Sequence, residues 1–172
     1  MRIYKLLSIL LEYPDQALME HLPELSRRLA EYPDLDDDER ATLNEFIDHL
    51  ASRPLISLQE DYVQTFDMMA EHSLHLTHHL FGDDKNRGPA LIDMGEMYRE
   101  YGVEVRGNEL PDYLPLVLEF AAYLEEDEAL IFLSHANKIL FVLADNLNKS
   151  GSPYAALISI IEGRATLARL AA

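Results

Sequence analysis

Four of the chain's seven histidines lie within eight positions, in the stretch HSLHLTHHLFGDDKNRG that begins at His72. If residues 72–81 form a helix, the imidazoles of His72, His75 and His79 share one narrow stripe. Imidazole nitrogens bind zinc and nickel, so this stripe is a candidate metal site. However, a straight helix places positions i and i+7 two turns apart, and no carboxylate stands at a fixed ligand spacing. The pattern therefore favours partly buried histidines or histidines that line a partner groove, and we expect neither a metal nor another cofactor.

The loop that follows, GDDKNRG at residues 82–88, could in principle bind phosphate or calcium. It lacks the Gly-Lys-Ser/Thr signature of a phosphate loop and does not follow a strand. Lys85 and Arg87 occupy positions where a calcium loop needs acids. We predict a helix–helix turn with Gly82 as the helix stop and Arg87 paired with a nearby acid. No nucleophile and base stand at a spacing that indicates catalysis either, so nothing in these residues supports an enzyme.

The overall charge limits the classes of partner. The 172 residues carry 31 acidic against 14 basic side chains, a formal net charge of −17. Such a surface repels phosphate backbones, so we expect no nucleic-acid partner. It would attract a basic peptide or a basic patch on another protein, although a high negative charge also serves solubility alone.

Cysteine is absent from the chain, which excludes disulfides, thiolate zinc sites, iron–sulfur clusters and Cys nucleophiles. The N-terminal apolar run is short, is interrupted by Lys5, Ser8 and Glu12, and lacks a small-residue cleavage site. No segment approaches the ~20 apolar residues that span a bilayer. We therefore expect a cytoplasmic protein that does not insert into membranes.

Helical periodicity runs through almost the whole chain, and no long alternating strand pattern or linker interrupts it. We predict one all-α domain over residues 1–172, with eight to ten helices and a hinge near 103–112. Asp15 and Asp112 are predicted N-caps, and Ser57 with Glu60 resembles a capping box. One long helix is expected to carry the apolar residues from Leu130 to Leu147, and a last helix is expected to begin after Ser152 and to bury Leu167.

An aromatic stripe precedes the histidines. Leu58, Tyr62 and Phe66 recur every four residues and so fall on one helix face. This spacing favours core packing over a groove lining for Tyr62 and Phe66.

Three segments together resemble a known family: YVQTFD at 62–67, LHLTHHLFGDDKNRGPALIDM at 74–94, and ELPDYLPLVLEF at 109–120. In this order and spacing they resemble the NarJ family, the delta-subunit assembly chaperones of respiratory nitrate reductase, within the TorD/DmsD group of redox-enzyme maturation chaperones. The resemblance extends over residues 1–165 in helix order and is strongest from Tyr62 to Phe120.

The resemblance implies a cytosolic, all-helical, noncatalytic chaperone. Members bind the N-terminal, signal-like segment of the molybdenum-containing catalytic (alpha) subunit, and they hold the apoenzyme while the molybdenum cofactor and iron–sulfur clusters are inserted. It leaves open a client other than nitrate reductase, such as a dimethyl sulfoxide, trimethylamine N-oxide or selenate reductase. It also leaves open a homodimer with exchanged helices.

The resemblance also implies site residues for partner binding. Tyr113 stands where the family commonly has His, in a hinge that borders the proposed peptide groove. The implied residues, with Gly82 and Gly88 as framework, are Tyr62, Phe66, Asp67, His79, Asp83, Arg87, Glu109, Pro111, Asp112 and Tyr113.

Overall fold

The computed structural model describes residues 3–33, 35–105 and 107–171, with side chains described as far as residue 166. Over these residues, β-type pairing is limited to one isolated bridge, and the prediction of an all-α protein with eight to ten helices is confirmed. Ten α-helices follow in order: α1 Ile3–Leu11, α2 Gln16–Leu29, α3 Asp37–Ala51, α4 Leu55–Tyr62, α5 Leu76–Phe81, α6 Arg87–Glu100, α7 Leu114–Tyr123, α8 Glu126–Ser134, α9 Asn137–Lys149 and α10 Tyr154–Ala171. A π-helical turn, Val63–Asp67, and a 3-10 turn, Ala70–His72, lie between α4 and α5.

Local sequence signals account for several helix ends. The Asp15 side chain accepts a hydrogen bond from the Leu18 amide over 2.7 Å and so caps α2, as predicted. Asp36 and Glu39 form a reciprocal capping box at the start of α3. At the end of α5, Gly82 has φ of +52°, a backbone conformation that an L side chain rarely adopts. The predicted stop at Gly82 is therefore confirmed.

Two predictions about helix boundaries were wrong. Ser57 does not begin α4, because the helix starts at Leu55 with Pro54 as its N-cap and no side-chain cap. The long helix predicted through Leu130 and Leu147 is two helices, α8 and α9, bent by 70° at their junction. The bend lets both helices pack their leucines against α10. Since Leu133 and Leu140 are seven residues apart, the apolar pattern keeps its phase across the break and cannot reveal it.

The core is built around α1 and α10. Helix α1 packs against α7, and α10 packs against α9, α8 and α3, while α2 and α3 form a neighbouring pair. Seven of the nine residues of α1 are buried, whereas α6 buries only Tyr98. No described helix has both the length and the apolar content to cross a bilayer by itself; α8 and α9 reach that content only as a bent pair.

Some sequence predictions concern residues outside the described set. Arg106 in the predicted hinge 103–112 is one, and the side chain of Leu167 is another. The described residues on either side of Arg106 form the connection between α6 and α7. Hinge motion at this connection stays a prediction.

Candidate functional site

Two loops that are distant in sequence, residues 73–76 and 111–114, lie side by side. The Leu76 amide donates to the Asp112 carbonyl over 3.0 Å, and the Leu114 amide donates to the Leu74 carbonyl over 2.8 Å. This antiparallel pairing places His75 opposite Tyr113. We call the two loops the clasp, because they join the start of α5 to the start of α7.

The Asp112 side chain lies at the centre of the clasp and has no exposed surface. The prediction that it caps its own helix was wrong, since α7 begins at Leu114 with Tyr113 as its N-cap. The Asp112 carboxylate caps α5 instead, accepting from the Thr77 amide over 3.0 Å and from the Thr77 hydroxyl. The Thr77 amide, near the start of α5, has no partner within its own helix, so the carboxylate satisfies it from another segment.

His75 and Arg87 complete what we call the Asp112 cluster. The His75 Nδ1 donates to the Asp112 carboxylate over 3.2 Å. The Arg87 Nε donates to the Thr77 hydroxyl oxygen over 3.0 Å, and its guanidinium lies 3.7 Å from the carboxylate. The predicted structural ion pair for Arg87 is thus present, and the cluster ties α5, α6 and the hinge together.

The pKa of Asp112 reflects two opposing causes. Burial alone would raise this pKa, but hydrogen bonds from His75 and Thr77, together with the charge of His75, hold it below its ordinary value of 3.8. The carboxylate is therefore ionised at neutral pH. All its partners in the cluster are donors, and its side chain has no exposed surface for direct contact with a protein partner.

Tyr62 and Phe66 lie in an aromatic core cluster with Tyr154, with ring centroids 4.8–5.9 Å apart. Both side chains are buried, which confirms the core interpretation of the stripe. The Tyr62 hydroxyl donates to the Leu11 carbonyl over 3.0 Å and lies 3.0 Å from the Tyr113 hydroxyl. Burial raises the pKa of Tyr62 far above its ordinary value and that of Tyr113 to about 12, so both phenols stay protonated. Tyr113 thereby connects the aromatic core to the clasp.

The three histidines proposed for metal binding do not share a helix stripe, because α5 begins only at Leu76. Each ring is turned to its own partner. His72 Nδ1 lies 3.1 Å from the Thr65 carbonyl, and His79 Nε2 lies 2.7 Å from the Ser73 carbonyl, while His75 binds Asp112. Within the described part of the chain, no group of three or more His, Asp or Glu side chains is placed to hold a metal ion. The helix assumed for residues 72–81 was therefore wrong at its beginning, and with it the geometry of the candidate metal site.

An acidic cleft opens beside the clasp. Glu12, Glu109 and Glu119 surround it together with Tyr13 and Tyr113, and its volume is about 310 Å³. Lys5 pairs with Glu119 at the rim. Burial, followed by the repulsion of Glu119, Asp15 and Glu109, raises the pKa of Glu12, although Lys5 opposes this. The cleft is thus a region of concentrated negative charge.

A second cleft of about 420 Å³ adjoins the first and shares Glu12 and Tyr13 with it. It lies between α1 and α2, and its apolar lining comes from Ile9, Leu18 and Leu25. We call the two clefts together the α1 groove. The second cleft is also lined by Asp15, Glu24, His21 and Arg28. The groove as a whole combines apolar surface with more carboxylates than cations, which suits a basic amphipathic helix.

The predicted site residues divide between these features. Glu109 and Tyr113 line the α1 groove, and Pro111 supports it by accepting a hydrogen bond from the buried Tyr98 over 2.7 Å. Asp67 and Asp83 are exposed and are not among the residues that line the groove.

The sequence prediction missed most of the residues that line the groove. Glu12, Tyr13 and Glu119 were not proposed as site residues. Glu119 gave one usable signal, since it is the single charged residue in the otherwise apolar helix LPLVLEFAAY. A lone charge on such a helix marks the face that points away from the core.

Comparison with known proteins places the chain in a family. The family described as "Nitrate reductase delta subunit" matches residues 32–158. The nitrate reductase molybdenum cofactor assembly chaperone NarJ of Escherichia coli strain K12 is 34% identical over 156 residues, which are 91% of this chain and 66% of that protein. The probable NarJ chaperone of Bacillus subtilis strain 168 is 33% identical over 92% of this chain and 85% of its own length.

A third relative matches this chain over only a small part of its own length. The nitrate reductase-like protein NarX of Mycobacterium tuberculosis strain H37Rv is 28% identical over 92% of this chain, but this region is only 24% of that protein. The chain thus spans 66% of the length of the Escherichia coli NarJ and a smaller part of NarX. The matched family region and the identity to the two NarJ proteins lead to one conclusion: the chain belongs to the nitrate reductase delta subunit family.

Proposed function

We propose that this protein is a noncatalytic assembly chaperone of a respiratory nitrate reductase and assists insertion of the molybdenum cofactor into the apo catalytic subunit. The observation that carries the proposal is the 34% identity, over 91% of the chain, to a protein named as a nitrate reductase molybdenum cofactor assembly chaperone. The family match to a nitrate reductase delta subunit favours this client over other molybdoenzymes.

We further propose that the α1 groove holds the N-terminal, signal-like segment of the catalytic subunit. A segment of this kind is basic and partly apolar. Its basic residues would be attracted by Glu12, Glu109 and Glu119, and its apolar face would pack in the cleft lined by Ile9, Leu18 and Leu25. The net charge of −17 adds long-range attraction that salt would weaken.

Within this proposal the predicted site residues have two kinds of role. Glu109 and Tyr113 contact the bound segment directly, because they line the groove. Asp112, with Thr77 and Arg87, acts as a positioning residue, since its buried carboxylate fixes the clasp from which Tyr113 projects.

The remaining predicted residues act at a distance from the groove. Tyr62 and Phe66 support Tyr113 from the aromatic core. His79 fastens the loop before α5 through the Ser73 carbonyl. Asp67 and Asp83 add to the negative surface charge.

The proposal is tested in a host that lacks its own delta subunit and carries the matching nitrate reductase. Expression of this chain should restore nitrate reductase activity and the molybdenum content of the purified catalytic subunit. A triple variant, Glu12→Gln, Glu109→Gln and Glu119→Gln, should lose most of this rescue. Full molybdenum loading in the host without any chaperone would refute the proposal.

The matched control carries the same change of charge elsewhere. Glu45→Gln, Glu96→Gln and Glu128→Gln replace three exposed carboxylates outside the α1 groove. If this control lost rescue as completely as the groove variant, total charge and not the groove would determine function.

A further inference from the structure

Tyr13 presents an aromatic ring at the junction of the two clefts that form the α1 groove. It lines both clefts, and 48% of its surface is exposed. Tyr is enriched among the residues that contribute most of the binding energy at protein interfaces, and such residues lie near the centre of the contact. The position and exposure of Tyr13 therefore make it the candidate anchor for whatever the groove binds.

The ring is held in place by its surroundings before any partner binds. On its two sides, the Leu11 carbonyl accepts a hydrogen bond from the buried Tyr62 hydroxyl over 3.0 Å, and the Pro14 carbonyl accepts one from the Gln59 side chain over 2.9 Å. The Tyr13 ring also packs on Tyr62, with centroids 5.5 Å apart and an angle of 87° between the ring planes. In such an edge-to-face pair, Tyr62 covers at most one face of the Tyr13 ring. A partner that stacks on the other face therefore has little ordering of this side chain to offset.

The carboxylates beside this ring favour one kind of cation. Glu12 and Glu109 lie with the ring in the first cleft, and within the described part of the chain neither of them forms a salt bridge. A cation placed over the face of an aromatic ring is attracted by the negative charge density of that face. The planar guanidinium of Arg stacks on such a face and also donates two parallel hydrogen bonds to a carboxylate, whereas the Lys ammonium is a compact, strongly hydrated charge. The ring and the two carboxylates together therefore match Arg better than Lys.

The third carboxylate of the cleft strengthens this preference. Glu119 pairs with the Lys5 ammonium over 2.5 Å, and both side chains of this pair are partly exposed. Ion pairs at such exposure are weak and exchange readily. A lysine of a bound segment would only replace the contact that Lys5 already makes. An arginine would add the stacking contact and the second hydrogen bond, which the Lys5 ammonium does not supply.

We propose that Tyr13 is the specificity-determining residue of the α1 groove and that its ring stacks on the guanidinium of an arginine in the bound segment. The carboxylates of Glu12 and Glu109, in the same cleft, accept the hydrogen bonds of this guanidinium. The groove thus selects a segment by its arginine and not by positive charge alone. This inference rests on the proposed function, because it names the side chain by which the N-terminal segment of the catalytic subunit is recognised.

The test is calorimetric titration of the full chain with two versions of the N-terminal peptide of the catalytic subunit. One version has Arg at every basic position and the other has Lys, so their net charges are equal. The unmodified chain should bind the Arg version about two- to fivefold more tightly, as expected for one cation–π contact at a partly exposed site. Tyr13→Leu should remove this difference, and Tyr13→Phe should retain it because the ring is kept. Tyr123→Leu, at an exposed tyrosine outside the groove, is the control and should bind as the unmodified chain does.

An NMR signature separates direct stacking from a structural role of Tyr13. In an Arg peptide labelled with ¹³C, the Cδ protons of one arginine should shift upfield on binding, because they lie over the face of the ring. This shift should persist with Tyr13→Phe and disappear with Tyr13→Leu. Equal affinity of the unmodified chain for both peptide versions, or an upfield shift that remains with Tyr13→Leu, would overturn the inference and leave the proposed function standing. Binding of neither version would refute the groove as the site of this segment, and the inference with it.

Discussion

Replacing Asp112 by Ala should lower the free energy of unfolding by about 3 kcal/mol, because its carboxylate serves three segments at once. The change removes the cap of α5, which contributes about 1 kcal/mol. It also leaves Thr77 and His75 without the acceptor that they contact over 3.0 and 3.2 Å. Removing one partner from a buried charged network typically costs about 3–5 kcal/mol. We expect the lower end of this range, since Arg87 is only partly buried and can be hydrated instead.

Urea unfolding followed by circular dichroism measures this effect. The transition midpoint should fall while the slope of the transition stays unchanged, because the fold is retained. Hydrogen exchange adds a local readout, in which the amides of α5 should exchange faster than those of α1. Asp83→Ala is the control, since this exposed acid lies just after α5 and should change stability by less than about 0.5 kcal/mol. A loss of less than about 1 kcal/mol in Asp112→Ala would refute the role of the cluster.

Three further predictions concern single features of the fold. The pKa of Asp112 is lower in the folded chain than its ordinary value of 3.8. The stabilisation by its carboxylate is therefore present above pH 3.8 and is lost as the pH falls through the folded pKa. As the pH is lowered across the acid range, the urea midpoint should fall more steeply for the unmodified chain than for Asp112→Asn. Gly82→Ala should destabilise the fold by about 1–3 kcal/mol, because φ is +52° at this position. Gly95→Ala, within α6, should instead stabilise the fold by about 0.5–1 kcal/mol. Thermal unfolding in which both substitutions shift stability in the same direction would contradict this prediction. Arg164 and Glu39 form a mostly buried ion pair with two hydrogen bonds, so Arg164→Met should lower the free energy of unfolding by about 1–3 kcal/mol. Lys149→Met removes one partner of an exposed ion pair and should change the urea midpoint little.

Local signals in the sequence were sufficient for much of the fold. Asp15 caps the helix that follows it, and Gly82 ends the helix that precedes it, because each acts on residues within four positions. The spacing of Leu58, Tyr62 and Phe66 likewise predicted a buried stripe correctly. Each of these signals lies in residues that are neighbours in the chain, so it is visible in the pattern of residue types.

The site was less predictable, because its contacts join distant segments. Asp112 was expected to cap the helix next to it, but its carboxylate contacts Thr77, 35 positions away. Glu12 and Glu119 come together only when α1 packs against α7. The beginning of α5 at Leu76 depends in turn on the clasp, and this is why the histidine stripe assumed for residues 72–81 does not form.

Isothermal titration calorimetry with a synthetic peptide is the most direct test of the central claim, that the α1 groove holds the N-terminal segment of the nitrate reductase catalytic subunit. We predict saturable binding that weakens at high salt and in the triple variant Glu12→Gln, Glu109→Gln and Glu119→Gln, but not in the control Glu45→Gln, Glu96→Gln and Glu128→Gln. Binding of equal affinity to the groove variant and the control, or no binding at high protein concentration, would contradict the claim.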